Sequence, residues 1–160
     1  MLRPVLLAVL SAISALFLFL APGHAADGAT VRFERAPLSI VTADGKRHTF
    51  DVELAVTDAQ RQHGLMFRET MAADEGMLFD FGTPRRITMW MRNTILPLDM
   101  IFIDPSGEIL SIHKDAEPFS ESIIDSGAPA AFVLELNAGI TGDLNIRRGD
   151  RVENERIPLR

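Results

Sequence analysis

The 160-residue chain contains no cysteine. That absence excludes disulfides, thiolate metal sites, cysteine nucleophiles and a lipoprotein acyl anchor. The chain also has no run of five or more basic residues, since Pro84-Arg85-Arg86 and Arg147-Arg148 are only doublets. Affinity for phosphate backbones comes mainly from clustered cations, so neither nucleic acid nor an anionic membrane surface is an expected partner. No Gly-x-Ser-x-Gly elbow, HExxH helix, Gly-rich phosphate loop or dinucleotide fingerprint occurs. The four histidines are scattered without metal-ligand spacing. The sequence assigns no cofactor.

What is present begins with export. After Arg3, an apolar run extends from Val5 to Leu20, interrupted by Ser11 and Ser14, and is followed by Pro22 and the small-residue tripeptide Gly23-His24-Ala25. These are the three parts of a secretory signal peptide. Sixteen helical residues reach about 24 Å, short of a hydrocarbon core of about 30 Å. The expectation is therefore a signal peptide over 1–25, cleaved after Ala25, with no membrane anchor afterwards and a periplasmic or secreted product. A loose lead-in is expected over 26–36 and one domain over 37–160. Loss of Arg3 takes the formal charge from −6 to −7, an acidic balance that serves solubility.

The remaining pattern is mainly β. Pro37 to Ala43 reads as a strand, Asp44-Gly45 as a hairpin turn, and Lys46 to Val56 as the return strand with Phe50, Val52, Leu54 and Val56 on one face. Thr57-Asp58-Ala59-Gln60 is a capping box that starts a short helix ending near Met66. Strands are predicted over 76–81, 86–92, 98–103, 108–112, 131–136 and from Arg151, with a second short helix capped by Asn137. Short strands at close spacing with two brief helices predict a single β-sandwich or squat barrel.

Residues 64–104 hold the densest motifs: Gly64-Leu65-Met66-Phe67-Arg68, Glu75-Gly76-Met77-Leu78-Phe79, Met89-Trp90-Met91-Arg92-Asn93-Thr94 and Pro97-Leu98-Asp99-Met100-Ile101-Phe102-Ile103-Asp104. Gly107-Glu108-Ile109, Val133-Leu134-Glu135-Leu136, Ala138-Gly139 and Gly149-Asp150 continue the series. Over about residues 37–155 this pattern closely resembles an uncharacterised secreted prokaryotic family, domain of unknown function 192. The resemblance implies a β-rich, sandwich-like exported domain and implies no activity.

The residues themselves offer three functional readings. If 86–92 and 98–103 form a hairpin with Arg92 opposite Asp99, Trp90 shares the face of Arg92. Trp90, Arg92, Asn93 and Asp99 then floor or rim a ligand site, with the indole stacking and the charged pair orienting polar groups. On this reading the chain is an exported binding module for a small molecule or an envelope-protein segment. A plain structural role for the Arg–Asp pair, fixing register beside a core tryptophan, competes with it. The second reading is a hydrolase that uses Asp99 with His113 or Glu135. Glu135, inside the apolar run Phe132–Leu136, is either the outward residue of an alternating strand, the commoner case, or a buried carboxyl with a raised pKa. The third is copper handling by Met89 and Met91 with another soft ligand, against the ordinary use of methionine as core filler.

Overall fold

A computed structural model describes residues 31–158. The expected signal peptide lies outside the described residues, as do residues 26–30 of the expected lead-in. Nine strands and two short helices make up the described chain, and the fold is mainly β. Strand β1 (Glu34–Val41) begins three residues ahead of the expected Pro37 and pairs antiparallel with β2 (Arg47–Ala55) across the Asp44-Gly45 turn. Gly45 takes φ 80°, the left-handed geometry this hairpin turn needs.

The capping box forms as read. Thr57 accepts from the Gln60 backbone and the Gln60 side chain accepts from the Thr57 N–H, which starts helix α1 (Asp58–His63) directly after β2. That helix is the crossover that lets β3 (Glu75–Arg85) return parallel to β2. The rest of the main sheet comprises β5 (Leu98–Ile103), β6 (Ile109–Ala116), β8 (Ala130–Asn137) and β9 (Arg151–Glu153). The strand order is β6-β5-β8-β3-β2-β1-β9, and the sheet curls into a half-barrel. Its two outer strands meet at one corner through a Glu108–Arg151 bridge, with Val152 N donating to Gly107 O at 2.7 Å and Ile109 N to Asp150 O at 2.9 Å. Of the two architectures expected, the curled sheet lies closer to the squat barrel.

Alternation gives each face of the sheet its own core. Leu38, Ile40, Val52, Leu78, Ile101 and Leu134 pack on one side; Met77, Phe79, Met91, Met100, Phe102 and Val133 pack on the other. Gly76 lets β3 lie close to β8, because a Cβ there would stand 2.6 Å from Glu135 O.

The predicted 86–92 strand is largely absent. It shrinks to β4 (Thr88–Met89), which pairs with β7 (Ile124–Asp125), a strand the sequence did not announce. The reason is that β5 has both edges occupied, by β6 on one side and β8 on the other, so no hairpin with 86–92 is possible. Arg92 therefore does not face Asp99. The second helix is also shorter than expected: α2 (Ile140–Asp143) is capped by Gly139, while Asn137 donates instead to the carbonyls of Met71 and Ala72.

Candidate functional site

The second face of the sheet is incompletely covered. Helix α1, the loop after it and the segment around β4 leave a cleft of about 670 Å³, within the range of ligand pockets. Leu65, Met66, Phe79, Phe81, Met89 and Ile123 give it apolar walls, and Trp90, Arg92, Asn93 and Thr94 border it. Three loops hold this border in place. Phe67 N donates to Asn93 O at 2.9 Å, Phe119 N to Thr94 O at 3.1 Å and Met91 N to Ser120 O at 2.9 Å. Phe67, Asn93 and Phe119 all adopt left-handed backbone, with φ between 56° and 63°. For two phenylalanines this conformation is costly and persists only where surrounding bonds impose it.

Glu135 lies at the bottom of the cleft. It sits centrally on β8, directly across from Met77 on β3 and Met100 on β5, with 4 % of its surface exposed. Among the described residues no donor or cation reaches its carboxyl group. Burial alone pushes its pKa from 4.5 up to about 8, so the acid is largely protonated at neutral pH. Of the two sequence readings of Glu135, the outward one is thus corrected. The strand is buried on both faces, so alternation moves this residue from one core to the other instead of to solvent.

The cleft's aromatic rings face cations. Arg92 lies over the Trp90 ring at 5.4 Å from its centroid, and Arg61 and Arg85 lie 5.6 and 4.9 Å from that of Phe81. Arg61 is further committed to Asp58 and to the carbonyl of Asp80 at 2.7 Å. Arg92 is exposed and makes no ion pair among the described residues.

Of the residues singled out from sequence, Trp90, Arg92 and Asn93 meet at this cleft and Asp99 does not. Asp99 pairs with Leu136, one step along from the Met100–Glu135 pair, and so projects from the opposite face of the sheet. There it is fully buried and accepts from Thr141 Oγ1 at 2.6 Å, Thr141 N at 3.0 Å and Asp115 N at 3.0 Å. Burial pushes its pKa up, but these bonds and one from Gly139 outweigh burial and hold it below the usual carboxylate value. Asp99 is a tie between β5, β6 and the α2 turn. The hydrolytic pairing of Asp99 with Glu135 therefore has its two carboxyls on opposite sides of one sheet, and His113 is an exposed residue of β6.

The copper reading also meets a correction. Met91 is fully buried with Phe79 and Phe102, so it cannot join Met89 in an accessible thioether site. Met66 and Met89 do border the cleft, and the Met66 sulfur is 3.9 Å from Asn93 Nδ2. Among the described residues no group of three or more His, Asp or Glu side chains is placed to hold a metal ion.

The sequence reading did not gather Arg61, Phe79 and Phe81 into the site. Their signal was present only as a capped helix following one strand and an apolar stretch in the next, which says nothing about which helix turn covers which strand.

Comparison with known proteins bears on the family and the fold. A solved structure of a Sinorhizobium meliloti 1021 protein, provisionally described as a transcription regulator, shares 52 % identity with a TM-score of 0.77, covering 78 % of this chain and 97 % of its own. A protein of unknown function from Novosphingobium aromaticivorans DSM 12444 shares 39 % identity with a TM-score of 0.72, covering 74 % and 84 % respectively. No curated protein matches the chain. The family model DUF192, described as "Uncharacterized ACR", matches residues 39–154, and the chain belongs to that family.

Proposed function

We propose that this chain is an exported, non-catalytic recognition module whose ligand occupies the cleft above Glu135. The observation that carries the reading is the Glu135 carboxyl itself, more than nine-tenths buried, without a partner among the described residues, and lining the cleft. A buried polar group left unpaired is costly, and a fold retains one where something else completes it. Trp90 supplies a stacking surface, and Asn93 and Arg92 supply polar groups at the border. The ligand is a small molecule or an exposed segment of another envelope protein. Export rests on the Arg3, Val5–Leu20 and Gly23-His24-Ala25 pattern.

Two neighbouring readings find less support. The second carboxylate bordering the cleft, Asp58, is ion-paired with Arg61, and no Ser or Cys nucleophile is among the described residues that line it, so a hydrolytic mechanism finds little support. A transcriptional role, in the words used for the Sinorhizobium meliloti protein, sits poorly with a formal charge of −6 and no basic cluster.

The test is a thermal-shift screen of the mature domain against a fragment set balanced among neutral, anionic and cationic members. Fragments that raise the melting temperature of the wild type are expected to lose their effect in both Trp90→Ala and Glu135→Gln. Binders insensitive to both substitutions place the ligand site elsewhere and defeat the reading.

A further inference from the structure

Resting on the cleft as the ligand site, we infer that its ligand is an alkylammonium group on an apolar stem, seated with the ammonium on Glu135. The stem matches the Leu65, Met66, Phe79 and Met89 walls, which offer no hydrogen bonds to a polar chain. The head group follows from what Glu135 lacks. On its own sheet the residues facing it are Met77 and Met100, and Phe79 and Val133 one pair further along, so its sheet neighbours supply no donor, and none of the other described residues donates to its carboxyl. The other ionisable groups bordering the cleft are Asp58, Arg61, His63 and Arg92. Asp58 and Arg61 neutralise each other, and Arg92 lies at the exposed border against Trp90.

A ligand cation converts the floor from a protonated acid to a desolvated ion pair, with charge-assisted hydrogen bonds in place of none. The balance is simple: Glu135 gives up its carboxyl proton to solvent as the ammonium binds, and no covalent bond forms. A neutral ligand of the same shape instead meets the protonated acid and gains at most an ordinary hydrogen bond. The two alternatives have opposite pH signatures. The ammonium selects the ionised protein, so its apparent affinity rises about tenfold per pH unit up to the folded pKa and then levels off. An acceptor bound by the protonated acid weakens over the same range.

The chemistry has two natural sources, a free amine or the lysine side chain of another protein. The chain has a single tryptophan, Trp90, which makes its fluorescence a reporter of the cleft. Titration with hexylammonium and with hexanol is carried out from pH 6 to pH 9, where the amine stays charged. The acetylated, amidated tripeptide Ala-Lys-Ala is titrated in parallel. The expected result is a Trp90 response to hexylammonium that tightens about fiftyfold from pH 6 to pH 8 and is lost, with its pH dependence, in Glu135→Gln. A tripeptide response with the same dependence assigns the source to protein lysine; a response to hexylammonium alone assigns it to free amines. Hexanol binding as well as hexylammonium, or hexylammonium weakening as pH rises, overturns the inference. In that event, fragment binding still abolished by Trp90→Ala leaves the cleft standing as the site, whereas fragment binding insensitive to that substitution removes both.

Discussion

Charging Glu135 is expected to dominate the pH dependence of folding above pH 5. The unfolded chain releases this proton near 4.5, while the folded protein holds it until about 8. Between those values the folded state binds more protons than the unfolded state, so stability falls as pH rises, and it is constant again above the folded pKa. At about 1.4 kcal/mol for each pH unit, the loss is about 3 kcal/mol by pH 7 and about 5 kcal/mol once the group is ionised in both states. Such a loss is comparable with half the stability of a typical domain. Glu135→Gln keeps the shape but cannot ionise, and its buried amide carries a cost that does not vary with pH. Urea unfolding of the wild type and of Glu135→Gln at steps from pH 5 to pH 9 isolates the effect, because every other titration is common to both proteins. The free-energy difference is expected to shift in favour of the glutamine variant steadily up to about pH 8. Parallel curves across that range would mean that the carboxyl is hydrated or paired, and the reasoning about the cleft floor would fail with it.

Two further substitutions probe the frame around the site. Asp99→Ala removes the acceptor of the Thr141 and Asp115 bonds and strands buried donors, at a cost of about 3 kcal/mol in urea unfolding; because Asp99 lies on the other face of the sheet, fragment binding in the thermal-shift screen is expected to be unchanged. Gly107→Ala places a Cβ 2.4 Å from Val152 O at a residue with φ 90°, and is expected to lower stability by about 3 kcal/mol, read as a reduced denaturation midpoint.

How far the sequence reveals this molecule differs from segment to segment. Thr57 and Gln60 specify their helix start because both partners of a capping box lie within one turn. Asp44-Gly45 specifies its hairpin for the same reason, since everything the turn needs is local. The 98–103 strand is legible from its apolar run, but its neighbours are not: the residues that occupy its edges come from 109–116 and 130–137, and no local pattern states that 86–92 is thereby shut out. The Arg92–Asp99 pairing failed at that step. Trp90, Arg92 and Asn93 were nevertheless found together because they are adjacent in the chain and share one loop. Glu135 was harder. A carboxylate in an apolar strand ordinarily faces water, and only the presence of a second core on the far side of the sheet makes the outward position an inward one. His113 shows the converse, an outer-strand residue that stays exposed.

The corner where β6 and β9 meet bears on how the protein behaves at high concentration. A curled sheet has two outermost strands whose unused N–H and C=O groups can recruit a strand from another molecule. Here the bridge between Glu108 and Arg151, with the bonds from Val152 to Gly107 and from Ile109 to Asp150, directs part of those groups toward each other. The approach is close enough that a side chain at position 107 would not fit. The seam is therefore a solubility device as much as a stability one: opening it, even in a molecule otherwise folded, creates two adhesive edges at once and invites association strand to strand.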